Sequence, residues 1–535
     1  MKGFWGARIA RYALPVAILL VAVMGQATAA TFAVTTTADS NDGACTGSLC
    51  SLRDAIIAAN ASGGADTITL PAGTYTLSIV GQNEDAAATG DLDITGSVTI
   101  NGAGAATTII DGGAIDRVFH VLSGTVVINN ATIRNGLAAS GDGGGILNAG
   151  AATLTLNAVT LTNNHTSGGN GAGMLNNGVA TVTNSTVSGN TAGGGGDGGG
   201  INNQNTMTIT SSTITGNSAG PSGGNGSGIN NSSDLTITNS VISGNTGGGG
   251  GNGGGIYNSS ELTVTGSVIS GNSAGPSGGN GGGIYNSDDL TITNSTVSAN
   301  VAAGGGNGAG IYDNGFSVTM NGTTVSGNTT ASGNGGGIYS SGIGEAITNS
   351  TISGNTGLVA GGIYAFGIGV TLRNATVAGN TGGGIQNDGI GVTLTNTIVA
   401  NNGVNCSGTG TISDGGTNLQ FPAMTCGVTI ASADPLLSPL ANNGGPTQTQ
   451  ALSAGSPAID AGTTGCPPVP ATDQRGVARP QGLACDIGAF EFQAAGPPPP
   501  PPQSPPIPTL SQWALLVLSL MLALLAIGSV RARRR

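Results

Sequence analysis

The sequence predicts an all-β fold, a parallel β-helix in which each coil stacks on the one before it. The first observation is a repeat: a Gly-rich junction such as GGGIY, seen at Ile256 and Ile284, recurs every 22 to 28 residues. The second is the Thr-rich segment that follows each junction, such as LTITNSVISGN (235–245), in which apolar and polar residues alternate. The third is that these segments show no helical period. Short half-buried strands at a fixed repeat are typical of a solenoid.

Equivalent residues of successive repeats should stack on one another. Because a strand presents alternate side chains on opposite faces, we expect Leu235 to point inwards and Thr236 outwards. A constant repeat then places Ile256, Ile284 and Ile311 in one aliphatic ladder. The longer repeats contain additional Gly-rich residues, which predicts loops that bulge from one side of the coil.

Asparagine recurs at corresponding places in the repeats, ahead of the third strand at Asn239 and Asn294 and in the SGN turns at Asn245, Asn272 and Asn328. One interpretation is a polar ladder that is offered to a ligand. The other is structural, because Asn tolerates left-handed turn geometry and stacked amides hydrogen-bond from coil to coil. We favour the structural interpretation.

Composition and charge exclude some classes of partner. Gly supplies 100 of 535 residues and charged residues only 7%, but the fixed period predicts order rather than low complexity. The basic residues lie largely at the two ends, and between residues 12 and 530 six Arg face all 25 acidic residues, a net charge of −19. The chain lacks the clustered Lys and Arg that neutralise phosphates, which argues against nucleic acid as a partner.

Residues 1–30 have the order of a secretory signal peptide. Basic residues precede an apolar stretch over 13–24, and small residues follow at Ala27, Ala29 and Ala30. A retained membrane anchor is the alternative, but the apolar stretch is short for a span. We therefore predict an exported protein that is cleaved near Ala29 or Ala30.

Six cysteines in an exported chain predict disulfide bonds. Their spacing is not that of a zinc site, and no His lies near them in the sequence. Proximity in the sequence gives three candidate pairs: Cys45 with Cys50, Cys406 with Cys426, and Cys466 with Cys485.

Residues 31–65 are predicted to cap a β-helix that spans residues 66–402. Residues 51–60 show the pattern of a short amphipathic helix, with Ser51 as its N-cap, and this helix would cover the apolar end of the stack. The segment CSLRDAIIAAN (50–60) resembles the CSLREA motif of many bacterial exported β-helix proteins, with Asp54 in place of the family's Glu. The resemblance implies a right-handed helix and a position in the chain, and it implies no activity.

Past Asn402 the repeat stops, and residues 403–492 are predicted to form a β-rich C-terminal region. The segments DPLLSPLANNGGPTQTQALSAGSPAIDAGTTGC (434–466) and ATDQRGVARPQGLACDIGAFEF (471–492) resemble the choice-of-anchor Q domain. That resemblance implies attachment to a cell surface and is silent on chemistry.

Residues 493–506 are a Pro-rich linker, which predicts an extended spacer. Residues 507–535 then combine a short motif, an apolar helix and a basic tail, an order that resembles the IPTL-CTERM sorting signal, although Ala514 stands where the pattern has Gly. The resemblance implies recognition by an exosortase-class membrane enzyme in a Gram-negative envelope. A plain transmembrane anchor is the alternative. The predicted sorting residues are Ile507, Pro508, Thr509, Leu510 and Trp513.

Enzymatic chemistry finds little support in the sequence. A polysaccharide lyase needs a base and usually carboxylates that hold calcium, but the mature chain has no Lys. Arg373 lies alone in the repeats, and the early coils carry one charged cluster: Asp111, Asp116, Arg117 and Arg134.

A glycoside hydrolase would need paired carboxylates across a groove, whereas Asp288 and Asp289 are consecutive and should point to opposite sides. His120 and His165 have no carboxylate close in sequence, and a lone His is more often structural. The Gly-rich loops carry mostly Asn where calcium repeats need Asp, so calcium binding there has little weight.

We therefore predict no catalytic residue, no cofactor and no metal site from the sequence. The expected role is that of an exported cell-surface rod with a structural, adhesive or carbohydrate-binding function. An extracellular polysaccharide or a host or matrix surface is the expected partner. The alternative is a polysaccharide lyase or glycoside hydrolase.

Overall fold

The computed structural model describes residues 28–43, 45, 49–462, 471–493 and 510–532. The chain forms two compact units that divide after Phe492. The first unit is a parallel β-solenoid of about 11 turns. The predicted signal peptide falls almost wholly outside the described residues, as do the linker after Gln493 and the motif residues Ile507, Pro508 and Thr509.

Each regular coil of the solenoid contributes three strands. The first and second strands join one sheet of 26 described strands, and the third strands join a second sheet of 15. All pairings of these strands between coils are parallel, for example Ile256 beside Ile284. This arrangement confirms the parallel β-helix that the repeat predicts.

Short first strands follow the Gly-rich junctions, at Leu92–Ile94, Met174–Asn176, Ile201–Asn203, Ile229–Asn231, Ile256–Asn258, Ile284–Asn286, Ile311–Asp313, Ile338–Ser340, Ile363–Ala365, Ile385–Asn387 and Cys406–Ser407. Second strands lie at Thr31–Ala33, Ala65–Leu70, Ser97–Gly102, Val179–Thr183, Met207–Thr210, Leu235–Thr238, Leu262–Thr265, Asp289–Thr293, Ser317–Asn321, Glu345–Thr348, Ile368–Arg373, Ile390–Thr395 and Ile412–Asp414. In two early coils one long strand supplies both, at Phe119–Asn129 and Ile146–Asn157.

Third strands lie at Gly73–Thr76, Thr108–Asp111, Thr132–Arg134, Thr160–Thr162, Thr186–Ser188, Thr213–Thr215, Val241–Ser243, Val268–Ser270, Thr296–Ser298, Thr324–Ser326, Thr351–Ser353, Thr376–Ala378, Ile398–Ala400, Leu419–Phe421 and Ala431–Ser432. Two-residue strands pair beside some turns, at Leu137–Ala138, His165–Thr166, Thr191–Ala192, Val301–Ala302 and Thr329–Thr330.

The core is the set of inward columns that the register creates. Ile256, Ile284 and Ile311 stack in register and are fully buried. Leu235 is buried whereas Thr236 is exposed, as the alternation predicts. Burial of one such aliphatic side chain contributes about 1.5–3 kcal/mol, so the repetition of the column over many coils is a large stabilising term.

The asparagines of the SGN turns form a buried ladder. Asn245 Nδ2 donates to Asn272 Oδ1 (2.9 Å) and to the Ile214 carbonyl (3.1 Å), and Asn245 N–H donates to the same Asn272 Oδ1 (3.0 Å). Asn239 and Asn294 adopt left-handed backbone conformations, each with φ of 50°. These contacts support the structural interpretation of the repeated Asn, because the amides satisfy one another across the coils.

The predicted N-terminal helix is present at Leu52–Ala61, with the side chain of Ser51 accepting from Asp54 N–H. Leu52, Ala55 and Ile56 are buried, so the helix covers the apolar end of the stack. Although burial raises it, hydrogen bonds from Ser51 and Ser40 hold the pKa of Asp54 below its usual value. The Asp that replaces the Glu of the resembled motif therefore organises the segment before the helix.

The solenoid continues beyond the boundary that we predict at Asn402. Cys406 pairs beside Ile385, and Leu419 pairs beside Ile398, which adds one more coil. The sequence signal ends earlier because this coil lacks the Gly-rich junction.

The region after Ser432 is not β-rich in its described part, which carries isolated antiparallel bridges and no strands. Instead it packs along the sheet of third strands. Thr351 Oγ1 donates to Gln474 Oε1 (2.6 Å), Thr376 Oγ1 accepts from Ala489 N–H (3.1 Å), and Asn396 Nδ2 donates to the Asp486 carbonyl (2.9 Å). These contacts replace strand pairing, which the Pro and Gly residues of the segment disfavour.

Two of the three predicted disulfides are present, Cys45–Cys50 and Cys406–Cys426. Cys485 is also disulfide-bonded, and its predicted partner Cys466 lies outside the described residues.

The second unit contains a helix at Leu510–Ala532. Among the residues described for this chain, no helix has the length and hydropathy that a membrane span needs. The predicted transmembrane helix therefore stays a prediction.

Two buried carboxyl groups interrupt the regular columns. Asp313 continues the ladder of Asn286, whose Nδ2 donates to Asp313 Oδ1 (2.7 Å). Glu345 stands beside Val318 in an aliphatic column, where its buried carboxyl group lies near Ser340 and Asp313. Burial, with the nearby Asp313, raises the pKa of Glu345 well above its usual value, and burial also raises the pKa of Asp313.

Replacement of Ile256 by Asp should disrupt several coils, because it places an unpaired charge inside the aliphatic ladder. We expect a loss of roughly 3 kcal/mol or more in the free energy of unfolding and faster proteolysis. The matched control is Thr319→Asp, which puts the same charge on an exposed outward position. Equal protease resistance of the two variants would contradict the register described above.

Replacement of Glu345 by Val should stabilise the protein at pH 8 by about 1–4 kcal/mol, because it restores an aliphatic column and removes a buried acid. Because the pKa of Glu345 is raised in the folded state, the folded protein keeps the Glu345 proton at pH values at which the unfolded chain has lost it. The stability of the wild type should therefore fall as the pH rises above the unfolded value of about 4.3.

The midpoint of urea unfolding at pH 4.5 and pH 8, for wild type, Glu345→Val and the exposed control Glu261→Val, measures this effect. Glu345→Val should lose less stability than the wild type between the two pH values, whereas Glu261→Val should follow the wild type. The same pH dependence in Glu345→Val and wild type would disprove the account.

Candidate functional site

The residue after each buried Ile of the first strands points outwards, and the register stacks these residues too. The column begins with Asp93 beside His120 and changes character along the solenoid. It consists in order of Asp93, His120, Leu147, Leu175, Asn202, Asn230, Tyr257, Tyr285, Tyr312, Tyr339, Tyr364, Gln386 and Ser407. Its ionisable end and its tyrosine part are the two candidate functional features.

A cavity of about 290 Å³ opens at the ionisable end. Acidic residues from the loop before the first regular coil and from the next coil surround it. We call this site the acidic pocket and define it by Asp85, Asp91, Asp93, Asp116, Arg117 and His120.

Arg53 of the CSLRDA segment holds the loop that carries three of these carboxylates. Its guanidinium is fully buried and donates to the carbonyl oxygens of Ala87 (3.0 Å), Gly90 (2.8 Å) and Asp91 (3.2 Å). Its Nε forms an ion pair with Asp39 at 2.7 Å. The CSLRDA segment, whose family resemblance implies no activity, therefore fixes the loop of the acidic pocket through Arg53.

The pocket perturbs its own carboxyl groups. Burial, together with the neighbouring Asp93, raises the pKa of Asp91 to about 8 despite the Arg117 Nε, which lies 3.5 Å from Asp91 Oδ2. Burial also raises the pKa of Asp116. Near neutral pH Asp91 is therefore largely protonated and able to give up or accept a proton.

Asp85, Asp93 and His120 bring three potential ligand atoms within 4.8 Å of one another. His120 Nδ1 lies 3.2 Å from Asp93 Oδ1 and 3.6 Å from Asp85 Oδ1. In the sequence His120 stands as a lone histidine, because Asp93 is 27 positions away. That separation is one repeat, so the register extended back from Ile146 would have found the pair.

The charged cluster predicted from Asp111, Asp116, Arg117 and Arg134 is divided in the structure. Arg134 Nε forms an ion pair with Asp111 Oδ2 (2.8 Å), and Asp116 and Arg117 belong to the acidic pocket. Burial raises the pKa of Asp111, but hydrogen bonds from Gly113 N–H and Arg134 outweigh this effect and hold the pKa below its usual value.

The other residues considered for chemistry lie apart. Arg373 is at an outward position of a second strand, beside Thr348 and Thr395. His165 pairs in a short strand beside Leu137 and lines a different cavity with Asp111.

The Asp and Asn residues of the Gly-rich loops connect neighbouring coils. Asp142 Oδ1 accepts from Asn170 N–H (2.6 Å), and Asp197 Oδ1 accepts from Asn225 N–H (2.6 Å). The half-buried Asp288 precedes a second strand, and the exposed Asp289 begins it. These carboxylates hold turns or face solvent.

Five tyrosines form a continuous stack, which we call the tyrosine ladder: Tyr257, Tyr285, Tyr312, Tyr339 and Tyr364. Adjacent ring centroids are 4.9–5.0 Å apart, with interplanar angles of 3–12°. The rings cover one another's faces, and the side chains are half-buried, so ring edges reach the surface while the Tyr364 hydroxyl donates to Asp388 Oδ2 (2.9 Å). Burial raises the pKa of Tyr285 and Tyr364 to about 12, so these hydroxyls stay protonated.

Two further sets of outward columns lie on the same sheet. Four apolar residues lie just before or at the start of successive second strands, at Phe316, Ile343, Ile368 and Ile390, and the first and last of them are about 70% exposed. Threonines form two parallel columns over five coils: Thr181, Thr208, Thr236, Thr263 and Thr291, and Thr183, Thr210, Thr238, Thr265 and Thr293.

Two family models match the chain. Residues 116–297 match the model described as "Right handed beta helix region", and residues 505–535 match the model described as "IPTL-CTERM motif". None of the curated proteins matches the sequence.

A solved structure titled "Crystal structure of pectate lyase Pel9A" is similar to the chain at 17% identity. The alignment covers 87% of this chain and 97% of that chain, with a TM-score of 0.32. A similarity at that TM-score carries no argument about this protein. The parallel stack of about 11 turns and the two family matches together support an exported right-handed β-helix protein with an IPTL-CTERM sorting motif at its C-terminus.

Proposed function

We propose that this cell-surface β-helix is an adhesive protein that binds an uncharged polysaccharide along the outward face of its 26-stranded sheet. The observation that carries the proposal is the tyrosine ladder beside the apolar column that begins at Phe316. The ladder repeats a tyrosine ring about every 5 Å over five coils. A linear ligand with periodic hydroxyl groups can therefore contact several coils at once.

The chemistry of this face suits sugars. A polysaccharide presents hydroxyl groups and apolar C–H patches in alternation, and tyrosine offers a polar tip on an apolar ring. The rings are already ordered by stacking, so binding costs little additional side-chain entropy. The two threonine columns extend the same hydroxyl-rich surface beyond the ladder.

Charge narrows the ligand class. The chain between its basic ends carries a net charge of −19, and an acidic residue stands just before or at the start of three successive second strands, at Asp234, Glu261 and Asp289. This field repels acidic polymers, including uronate polysaccharides and nucleic acids. An uncharged or cationic polysaccharide fits the face better than an acidic one.

A second candidate function, polysaccharide hydrolysis, is favoured by one observation in the acidic pocket. Asp85, Asp91 and Asp116 line one cavity of about 290 Å³, and while no ion is bound at Asp93, burial and the Asp93 charge raise the pKa of Asp91 to about 8, which is suitable for a general acid at neutral pH. If the protein released new reducing ends from a polysaccharide, and if Asp91→Asn lost this activity, hydrolysis would be better supported than adhesion.

The same proposal includes the route to the surface. Residues 1–30 direct export, the apolar C-terminal helix spans the membrane before processing, and an exosortase-class enzyme of a Gram-negative envelope recognises residues 507–510. The match of residues 505–535 to the sorting motif supports this route.

The triple variant Tyr285→Phe, Tyr312→Phe, Tyr339→Phe should keep the ring stack and lose binding. Each lost hydrogen bond is worth about 0.5–1.5 kcal/mol, so we expect binding weaker by about tenfold or more. Pull-down on insoluble neutral polysaccharides, with soluble acidic and neutral polysaccharides as competitors, measures the effect.

A matched control removes hydroxyls from the other sheet. Thr213→Val with Thr296→Val is suitable because Val241 and Val268 already stand in that column. Undiminished binding by the tyrosine variant, or equal loss in the control, would rule out the ladder as the binding surface.

Replacement of Ile507, Pro508, Thr509 and Leu510 by Ala should block processing. The variant should then stay membrane-bound with Arg535 attached, whereas the wild type should lose the tail, as intact mass would show. Pro505→Ala with Pro506→Ala, immediately upstream, is the control and should be processed. Mature wild-type protein that still contains Arg535 would exclude cleavage.

A further inference from the structure

We propose that Asp85, Asp93 and His120 in the acidic pocket bind a divalent transition-metal ion with the ligand preference of zinc. The proposal is independent of polysaccharide binding, because the tyrosine ladder begins five positions further along the outward column. It assigns a ligand to the most concentrated group of ionisable side chains on the outward column.

The positions of the ligand atoms suit a small ion. Metal–ligand distances of about 2.0–2.2 Å in a tetrahedral zinc site require ligand atoms about 3.4 Å apart. His120 Nδ1 lies 3.2 Å from Asp93 Oδ1 and 3.6 Å from Asp85 Oδ1. The ligand atoms of Asp85 and Asp93 lie within 4.8 Å of each other, and rotation of the exposed Asp85 side chain would bring all three atoms around such an ion.

Asp93 supplies a separate observation that points to a ligand. Its side chain is completely buried, and Oδ2 accepts from Ala87 N–H (2.9 Å). Its Oδ1 faces the cluster and accepts no hydrogen bond, although His120 Nδ1 lies only 3.2 Å away. A buried carboxylate oxygen without a partner is costly, and a bound cation would satisfy it.

The donor set selects the class of ion. An imidazole nitrogen with two carboxylate oxygens suits zinc, whereas calcium takes six to eight oxygen ligands. Glu84, Asp91 and Asp116 also line the cavity, against the single guanidinium of Arg117, so the surroundings favour a cation. Three protein ligands leave a coordination position open towards the 290 Å³ cavity.

Arg53 preorganises the proposed metal site. Its hydrogen bonds to the carbonyl oxygens of Ala87, Gly90 and Asp91 fix the backbone of this loop. They therefore also hold the Ala87 N–H, which donates to Asp93 Oδ2. Asp85 lies at the solvent side of the same loop, where its side chain is 73% exposed. The buried ligand is therefore rigid and the exposed ligand is free to adjust to the ion.

The test uses the full chain without an affinity tag, stripped with a chelator and titrated with Zn²⁺, Ca²⁺ or Mg²⁺ in a calorimeter, with bound metal counted by mass spectrometry. We expect one Zn²⁺ per chain, a rise in melting temperature with Zn²⁺, and much weaker binding of Ca²⁺ and Mg²⁺. Asp85→Ala, at an exposed position that should not affect folding, should weaken Zn²⁺ binding by about 100-fold or more, because loss of a partner outside the ligand set already costs about 10- to 100-fold.

His120→Gln should have the same effect, and His165→Gln, which alters the only other histidine, should bind Zn²⁺ like the wild type. Absence of stoichiometric Zn²⁺ binding would overturn the proposal. So would unchanged affinity in both Asp85→Ala and His120→Gln, which would mean adventitious binding to surface carboxylates, or tighter binding of Ca²⁺ than of Zn²⁺.

Discussion

Parallel hydrogen bonding between neighbouring coils is the interaction on which the rest of the structure depends. Ile229 N–H donates to the Gly255 carbonyl (2.9 Å), and Ile256 N–H donates to the Gly283 carbonyl (2.9 Å), always one repeat further along. This pattern fixes the register, so each residue stands on its equivalent in the next coil. A slip of one residue would exchange inward Ile for outward Tyr, and the burial of the core would be lost.

The Gly-rich junctions follow from the same constraint, because backbones of adjacent coils approach closely there. A Cβ on Gly255 would lie 2.6 Å from the Gly283 carbonyl oxygen, and Gly253 has a φ of +65° that favours glycine. One register thus produces all four kinds of column. The Ile column forms the apolar core, the Asn column satisfies its own amides, and the Thr and Tyr columns form hydroxyl-rich outer faces.

The irregular positions are where chemistry can concentrate. The first coils depart from the repeat. There Arg53 holds the loop through hydrogen bonds from its side chain to carbonyl oxygens. The carboxylates of this loop are thereby grouped beside His120. The capping segment and the acidic pocket are therefore one structure. Asp313 and Glu345 break the columns inside the regular part, and there the consequence is a pair of buried acids with raised pKa values.

The sequence by itself determined the solenoid, its inward columns, the capping helix and two described disulfides, because these depend on local alternation, a fixed period and neighbouring cysteines. The position of Ile256 between Ile229 and Ile284 could be predicted by counting. Only the tertiary structure decided that the C-terminal region packs on the third-strand sheet and that Arg53 anchors the pocket loop. It also decided that Asp85 joins the in-register pair of Asp93 and His120, because Asp85 and Arg53 lie in segments that share no repeat signal and are set by how the irregular first coil closes on the regular stack.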